Sequence, residues 1–77
     1  MAKNTVVILA ARRTPIGAML GVLTPLAGHA LGAAAIRAAV ADSGLRPEMV
    51  NEVIMGCVLP AGQGQAPARQ AALAVGL

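Results

Sequence analysis

Phenylalanine, tyrosine and tryptophan are all absent from the 77-residue chain, and cysteine and histidine occur once each. Each absence excludes something. An aromatic side chain buries roughly 150–250 Å², so the largest usual contributors to a small core are missing. One cysteine forms no internal disulfide, and one histidine with few acids makes a protein-only metal cage implausible. Acidic residues number three against six Lys and Arg, giving a net charge of +3 and a pI near 10.6. The bases Lys3, Arg12, Arg13, Arg37, Arg46 and Arg69 are scattered rather than clustered. With no aromatic to stack on bases, nucleic-acid binding is not expected. Only 12% of residues are charged and 57% are hydrophobic, which argues against disorder. A lone cysteine suits a reducing cytosol better than a secreted framework, so a cytoplasmic protein is expected.

What is present is mostly small. Eighteen of the apolar residues are alanine, each burying little surface. A chain of this size hides only about 60% of its unfolded surface even when well folded, and small scaffolds normally compensate with disulfides, metal or association. The composition therefore suggests part of something larger, or a chain that needs partners. A membrane proteolipid was the competing class. The uncharged stretch Thr14 to Ile36 is long enough to span, but Pro15, Pro25, four glycines and His29 interrupt it. The apolar run Val6 to Ala11 is too short for a signal peptide, and Arg12-Arg13 follow it rather than precede it. No membrane association is expected.

Val6-Val7-Ile8-Leu9-Ala10 is β-branched and continuously apolar, the pattern of a strand buried on both faces. Thr24-Pro25 has the chemistry of a helix start, and the alanine-rich run from about Leu26 to Ser43 has high helix propensity. Gly44 supplies a left-handed stop. His29 and Arg37 lie about 80° apart around this helix, and the rest of its body is almost all apolar, so it wants neighbours on more than one side. Residues 46–51 read as a connecting turn, 52–58 as a second strand, 59–66 as a loop, and 67–75 as a second helix with Pro67 first and Gly76 after its end. The order β-α-β-α predicts α/β layering on a parallel sheet.

Gly62-Gln63-Gly64 invites a phosphate-loop reading, but Pro67 stands where the third glycine would be and no Walker lysine follows. It reads instead as a tight strand-to-helix loop. Cys57, inside an apolar strand with no base nearby in sequence, reads as packing rather than nucleophile. His29 has no identifiable partner and reads as solvated. Gln65, Arg69 and Gln70 crowd the loop and the first turn of the second helix, at the carboxyl end of a strand, where open α/β sheets place ligands. Solvation or a subunit contact explains them equally well.

Taken together these segments resemble the N-terminus of a thiolase. The resemblance rests on Val6 to Gly17, with its Ala11-Arg12-Arg13-Thr14-Pro15-Ile16-Gly17 turn, on Leu31-Gly32-Ala33, on Asn51 to Gly56, and most specifically on Val58 to Ala72. It covers essentially the whole chain in order. Within that family the segments most resemble the acetyl-CoA acetyltransferase subgroup, with 3-ketoacyl-CoA thiolase as the nearest competitor. The resemblance implies a layered αβαβα sandwich, of which residues 1–77 hold only the opening, a partial N-terminal domain. It implies acyl transfer through an acylated cysteine activated by a histidine, with a second cysteine as acid and base. The nucleophile follows soon after the segment matching Ala71 to Leu77, and neither Cys57 nor His29 matches a catalytic position. No catalytic, cofactor-binding or metal-binding residue is therefore assigned, and the chain alone is expected to be inactive. No cofactor is expected beyond CoA thioesters as substrates. Gln65 matches a family glutamine near the subunit interface and active-site region, and Gln65 and Arg69 are the two supporting-site candidates. Where the family often has Asn, this chain has Ala66, removing a possible helix cap at a cost of about 1 kcal/mol. Expected partners are the remainder of a thiolase chain or a second copy, with the parent a dimer or tetramer. The alternative is a non-catalytic interaction piece completed by another chain.

Overall fold

The computed structural model describes residues 5–77; Lys3 lies outside them. The first helix, α1, spans Gly28–Ser43. It starts two residues later than the sequence predicts, and Thr24-Pro25 does not cap it. The donors explain the shift. The Thr24 N–H is already bonded to the Gly21 carbonyl at 3.1 Å and the Leu26 N–H to the Leu23 carbonyl at 3.0 Å, so Thr24 and Pro25 belong to a run of turns. Ala27, extended at φ −71° and ψ 152° and lacking a side-chain cap, precedes the helix instead. Its carbonyl accepts from both Ala30 and Leu31. The other end follows expectation: Gly44 stops the helix at φ +78°. Ser43 Oγ donates to the Val40 carbonyl at 2.7 Å and accepts from the Leu45 N–H at 3.1 Å.

The connecting turn tightens into a short 3-10 helix at Pro47–Met49. The second α-helix, α2, spans Pro67–Ala74 with Pro67 first, as predicted, and ends one residue early. The Leu77 N–H bonds to the Ala72 carbonyl and the Gly76 N–H to the Leu73 carbonyl. With Gly76 at φ +83°, this is a Schellman closure.

The two helices pack on each other through small residues. A Cβ on Gly32 would lie 3.3 Å from Ala71 Cβ and 3.0 Å from Met55 Cε, so the glycine sets the close approach. The buried apolar residues are Ala33, Ala71 and Ala72. Among the described residues no helix is long and apolar enough to cross a membrane.

The predicted strands are not formed: among the described residues there are two α-helices, one 3-10 turn and no strand. The α/β layering expected from the β-α-β-α order is therefore not shown. A strand exists only through the partner that accepts its ladder, and among the described residues neither 6–10 nor 52–58 has one. Val7 to Ala10 line a groove with Ala39, Val40 and Leu45, whereas Met55, Gly56 and Cys57 line a cavity with Gly28 and Gly32. The side chains still alternate as on a pleated surface. Val6 and Ile8 are 95% and 87% exposed, Val7 and Leu9 64% and 56%. Ile54 is 84% exposed and its neighbour Met55 37%. One side of each segment leans toward helix and the other is bare.

Two ion pairs occur among the described residues. Arg46–Glu48 at 3.3 Å is local, whereas Arg12–Asp42 at 3.1 Å ties the N-terminal run to the last turns of α1. Both partners of the second pair are half exposed, so it contributes about 0–1 kcal/mol. The molecule measures 51 × 24 × 21 Å with a radius of gyration of 14.3 Å, against about 11.5 Å for a compact chain of this length. Its accessible surface is 6288 Å², against about 4,300 Å² for a folded monomer of this mass.

Large apolar side chains are exposed within residues 6–9, 16–22 and 54–59, so the purified 77-residue chain is expected to bind the hydrophobic dye ANS and to elute from size exclusion ahead of a compact monomer. A sharp monomer peak with no dye enhancement would contradict the thin core described above.

Candidate functional site

The loop from residue 59 to 66 is built on three positive φ angles. The Gln63 N–H bonds to the Pro60 carbonyl at 3.1 Å, closing a turn whose third residue, Gly62, has φ +76°; glycine is the natural occupant there. Gly64 follows at φ +80° and Ala66 at φ +46°. Ala66 is the N-cap of α2, and it caps nothing with its methyl group. The left-handed region costs an L-residue with a Cβ about 1–2 kcal/mol. The missing asparagine therefore matters twice, for the cap and for the backbone.

Two glutamines hold the loop in place. Gln63 Nε2 donates to the Leu59 carbonyl at 2.8 Å and approaches Cys57 Sγ at 3.7 Å. Its Oε1 sits where a Cβ on Gly28 would come within 2.5 Å, so the carboxamide occupies space that only glycine leaves open at the start of α1. Gln70 Nε2 donates to the Gln65 carbonyl at 2.6 Å. Gln70 stands in the sequence beside Gln65 and Arg69 as one of the polar groups crowding this junction, but the loop-shaping role of neither glutamine is expected from it. The available signal was the alternation Gly62-Gln63-Gly64-Gln65, in which glycines free the backbone beside each amide side chain.

The two sequence candidates meet. Gln65 and Arg69 line one open groove together with Ala66, Gln70 and Leu73, and both are exposed. The groove offers a guanidinium and a carboxamide beside an apolar side chain, able to donate hydrogen bonds to an oxyanion, a carbonyl or a facing backbone. His29 and Cys57 come together elsewhere, on a cavity of about 70 Å³ that Gln63 and Pro67 also line. Ligand pockets run to about 300–1,000 Å³, so this cavity is too small for an acyl thioester carrier. Cys57 is exposed, not packed within a strand as expected. Without a sheet to cover it, the thiol faces the Gln63 amide at 3.7 Å. Among the described residues no three His, Cys, Asp or Glu side chains are placed to hold a metal ion.

Residues 6–77 match the family profile described as the thiolase N-terminal domain. The chain thus belongs to the thiolase family, by its N-terminal domain. The chain is 55% identical over 74 residues to acetyl-CoA acetyltransferase B, mitochondrial, of Xenopus laevis, covering 96% of this chain and 18% of the relative. It is 53% identical over 72 residues to acetyl-CoA acetyltransferase of Cupriavidus necator, covering 94% and 18%. Over all 77 residues it is 48% identical to acetyl-CoA acetyltransferase of Rhizobium meliloti, covering 100% and 20%. The chain spans about a fifth of the length of these relatives.

Two substitutions probe the loop geometry. Ala66→Gly, which frees the left-handed backbone, and Ala66→Asn, which also restores a capping oxygen, should each stabilise the α2 region by about 1 kcal/mol. Gly64→Ala should destabilise it by about 1–2 kcal/mol. Denaturant unfolding followed by helical circular dichroism checks both signs; a stabilising Gly64→Ala would contradict the positive φ.

Proposed function

We propose that this chain is the N-terminal part of an acyl-CoA C-acyltransferase that condenses two acetyl-CoA into acetoacetyl-CoA and CoA, or runs the reverse. The observation that carries this reading is 48–55% identity across almost the whole chain to relatives that bear the name acetyl-CoA acetyltransferase. The layered αβαβα sandwich belongs to the same proposal. Residues 6–10 and 52–58 supply two of its strands once further strands accept their ladders, and the bare side chains of Val6, Ile8, Ile54 and Val58 meet a covering layer. The finer choice of acetyl-CoA over a longer 3-ketoacyl substrate rests on the relatives' names alone.

The chemistry requires a thiolate nucleophile, a base to form it, and donors preorganised around the developing oxyanion. Residues 1–77 alone are proposed to be inactive. Their single thiol, Cys57, has the carboxamide of Gln63 beside it and a cavity of about 70 Å³ before it. Gln65 and Arg69 act as supporting residues on the groove they share, at the subunit interface or beside the active site. CoA thioesters are the substrates, no further cofactor is needed, and the parent assembles as a dimer or tetramer. The lone free thiol fits a reducing compartment. The cytosol meets that condition, and so does the mitochondrial location that the Xenopus laevis relative's name carries.

The second reading is a non-catalytic piece completed by a complementary chain, and the large apolar exposure of residues 6–9, 16–22 and 54–59 favours it over an independent small domain. Two assays separate the readings. The homogeneous 77-residue chain is expected to release no CoA from acetyl-CoA or acetoacetyl-CoA in a thiol-detection assay; turnover at verified intact mass would refute inactivity. A chimera carrying this chain's residues in place of the matching 72-residue segment of the Cupriavidus necator relative is expected to keep thiolysis within about tenfold, or ~1.4 kcal/mol in ΔΔG‡. A folded chimera without activity would favour the interaction reading.

A further inference from the structure

Resting on the thiolase reading, we propose that Gln70 is a positioning residue: it clamps the left-handed corner at Ala66 and thereby holds Gln65 and Arg69 on their shared groove. Gln70 approaches Ala66 from two directions. Its backbone N–H bonds to the Ala66 carbonyl at 3.1 Å, and its side-chain Nε2 bonds to the Gln65 carbonyl at 2.6 Å. The carbonyls on both sides of the Ala66 Cα therefore accept from one residue. That bracketing fixes a φ of +46° that an alanine does not choose for itself. Gly64 completes the device. A Cβ there would come 3.2 Å from Gln70 Nε2, so glycine leaves the path of the carboxamide open.

The corner connects the two candidates. Gln65 immediately precedes Ala66, and Arg69 immediately precedes Gln70 on the first turn of α2. Releasing the corner toward right-handed geometry would rotate the peptide after Gln65 and swing its side chain away from Arg69. Sub-ångström placement of such supporting groups governs rate far more than it governs fold.

The test uses the chimera with the Cupriavidus necator relative. Gln70→Ala is expected to lower kcat/KM for acetoacetyl-CoA thiolysis by about tenfold to a hundredfold. In an Ala66→Gly background, where the corner needs no clamp, the same substitution should cost several-fold less. Equal losses in the two backgrounds would overturn the proposal, since a clamp that acts through the Ala66 corner must couple to that residue. Hydrogen exchange supplies a readout independent of activity. Gln70→Ala should accelerate amide exchange at residues 64, 65, 66 and 68 and leave α1 unchanged; unaltered exchange at the corner also overturns the clamp. A folded chimera that shows this exchange pattern without thiolysis supports the clamp and sinks the thiolase reading instead.

Discussion

Gly32 facing Ala71 is the contact on which the described arrangement turns. Hydrogen in place of a side chain lets α1 and α2 approach until Ala71 and Ala72 are covered, and it gives Met55 a surface to rest on. The cavity beside that contact brings in Gly28, and through Gly28 the Gln63 carboxamide. The loop from 59 to 66 is therefore anchored to the start of α1 at one end and to the first turn of α2 at the other. Separate the helices and the loop loses its anchor at Gly28, keeping only the local bonds from Gln70.

The parts legible in the sequence were those set by local chemistry. Gly44 and Gly76 ended helices because an αL residue is needed there whatever surrounds it. Pro67 opened α2 because its ring and missing N–H suit a first turn. Thr24-Pro25 carried the same kind of signal and lost, because Gly21 and Leu23 had already engaged the amides of Thr24 and Leu26. A capping residue shows what it could bond, not which neighbour reaches it first. The strand signals of residues 6–10 and 52–58 failed differently. Apolar β-branched runs state a preference for a sheet, but a ladder is a non-local bargain that needs a second backbone at the right distance.

The site was half legible for a related reason. Gln65 and Arg69 stood out as polar groups at a loop-to-helix junction, and the structure places them on one groove. Gln63 and Gln70 make the bonds that shape the loop, a role their identity among those same polar letters does not show. Nothing in a glutamine's identity distinguishes an amide that waits for a ligand from one that closes on its own backbone. The discriminating feature is the glycine opposite each, Gly28 for Gln63 and Gly64 for Gln70, and the first of these pairings joins residues far apart in sequence.

The alanine core has a calorimetric consequence. Opening the α1–α2 contact would hydrate little new apolar surface, since the side chain facing Gly32 is the methyl group of Ala71, with the buried methyl of Ala72 next to it in sequence. The heat-capacity increment and the enthalpy of that opening are correspondingly small. A melting curve governed by this contact alone would be shallow and spread over a wide temperature range, whereas a core of larger side chains would give it a steep midpoint. Whatever layer covers Val6, Ile8, Ile54 and Val58 would therefore decide the sharpness of unfolding as well as its temperature.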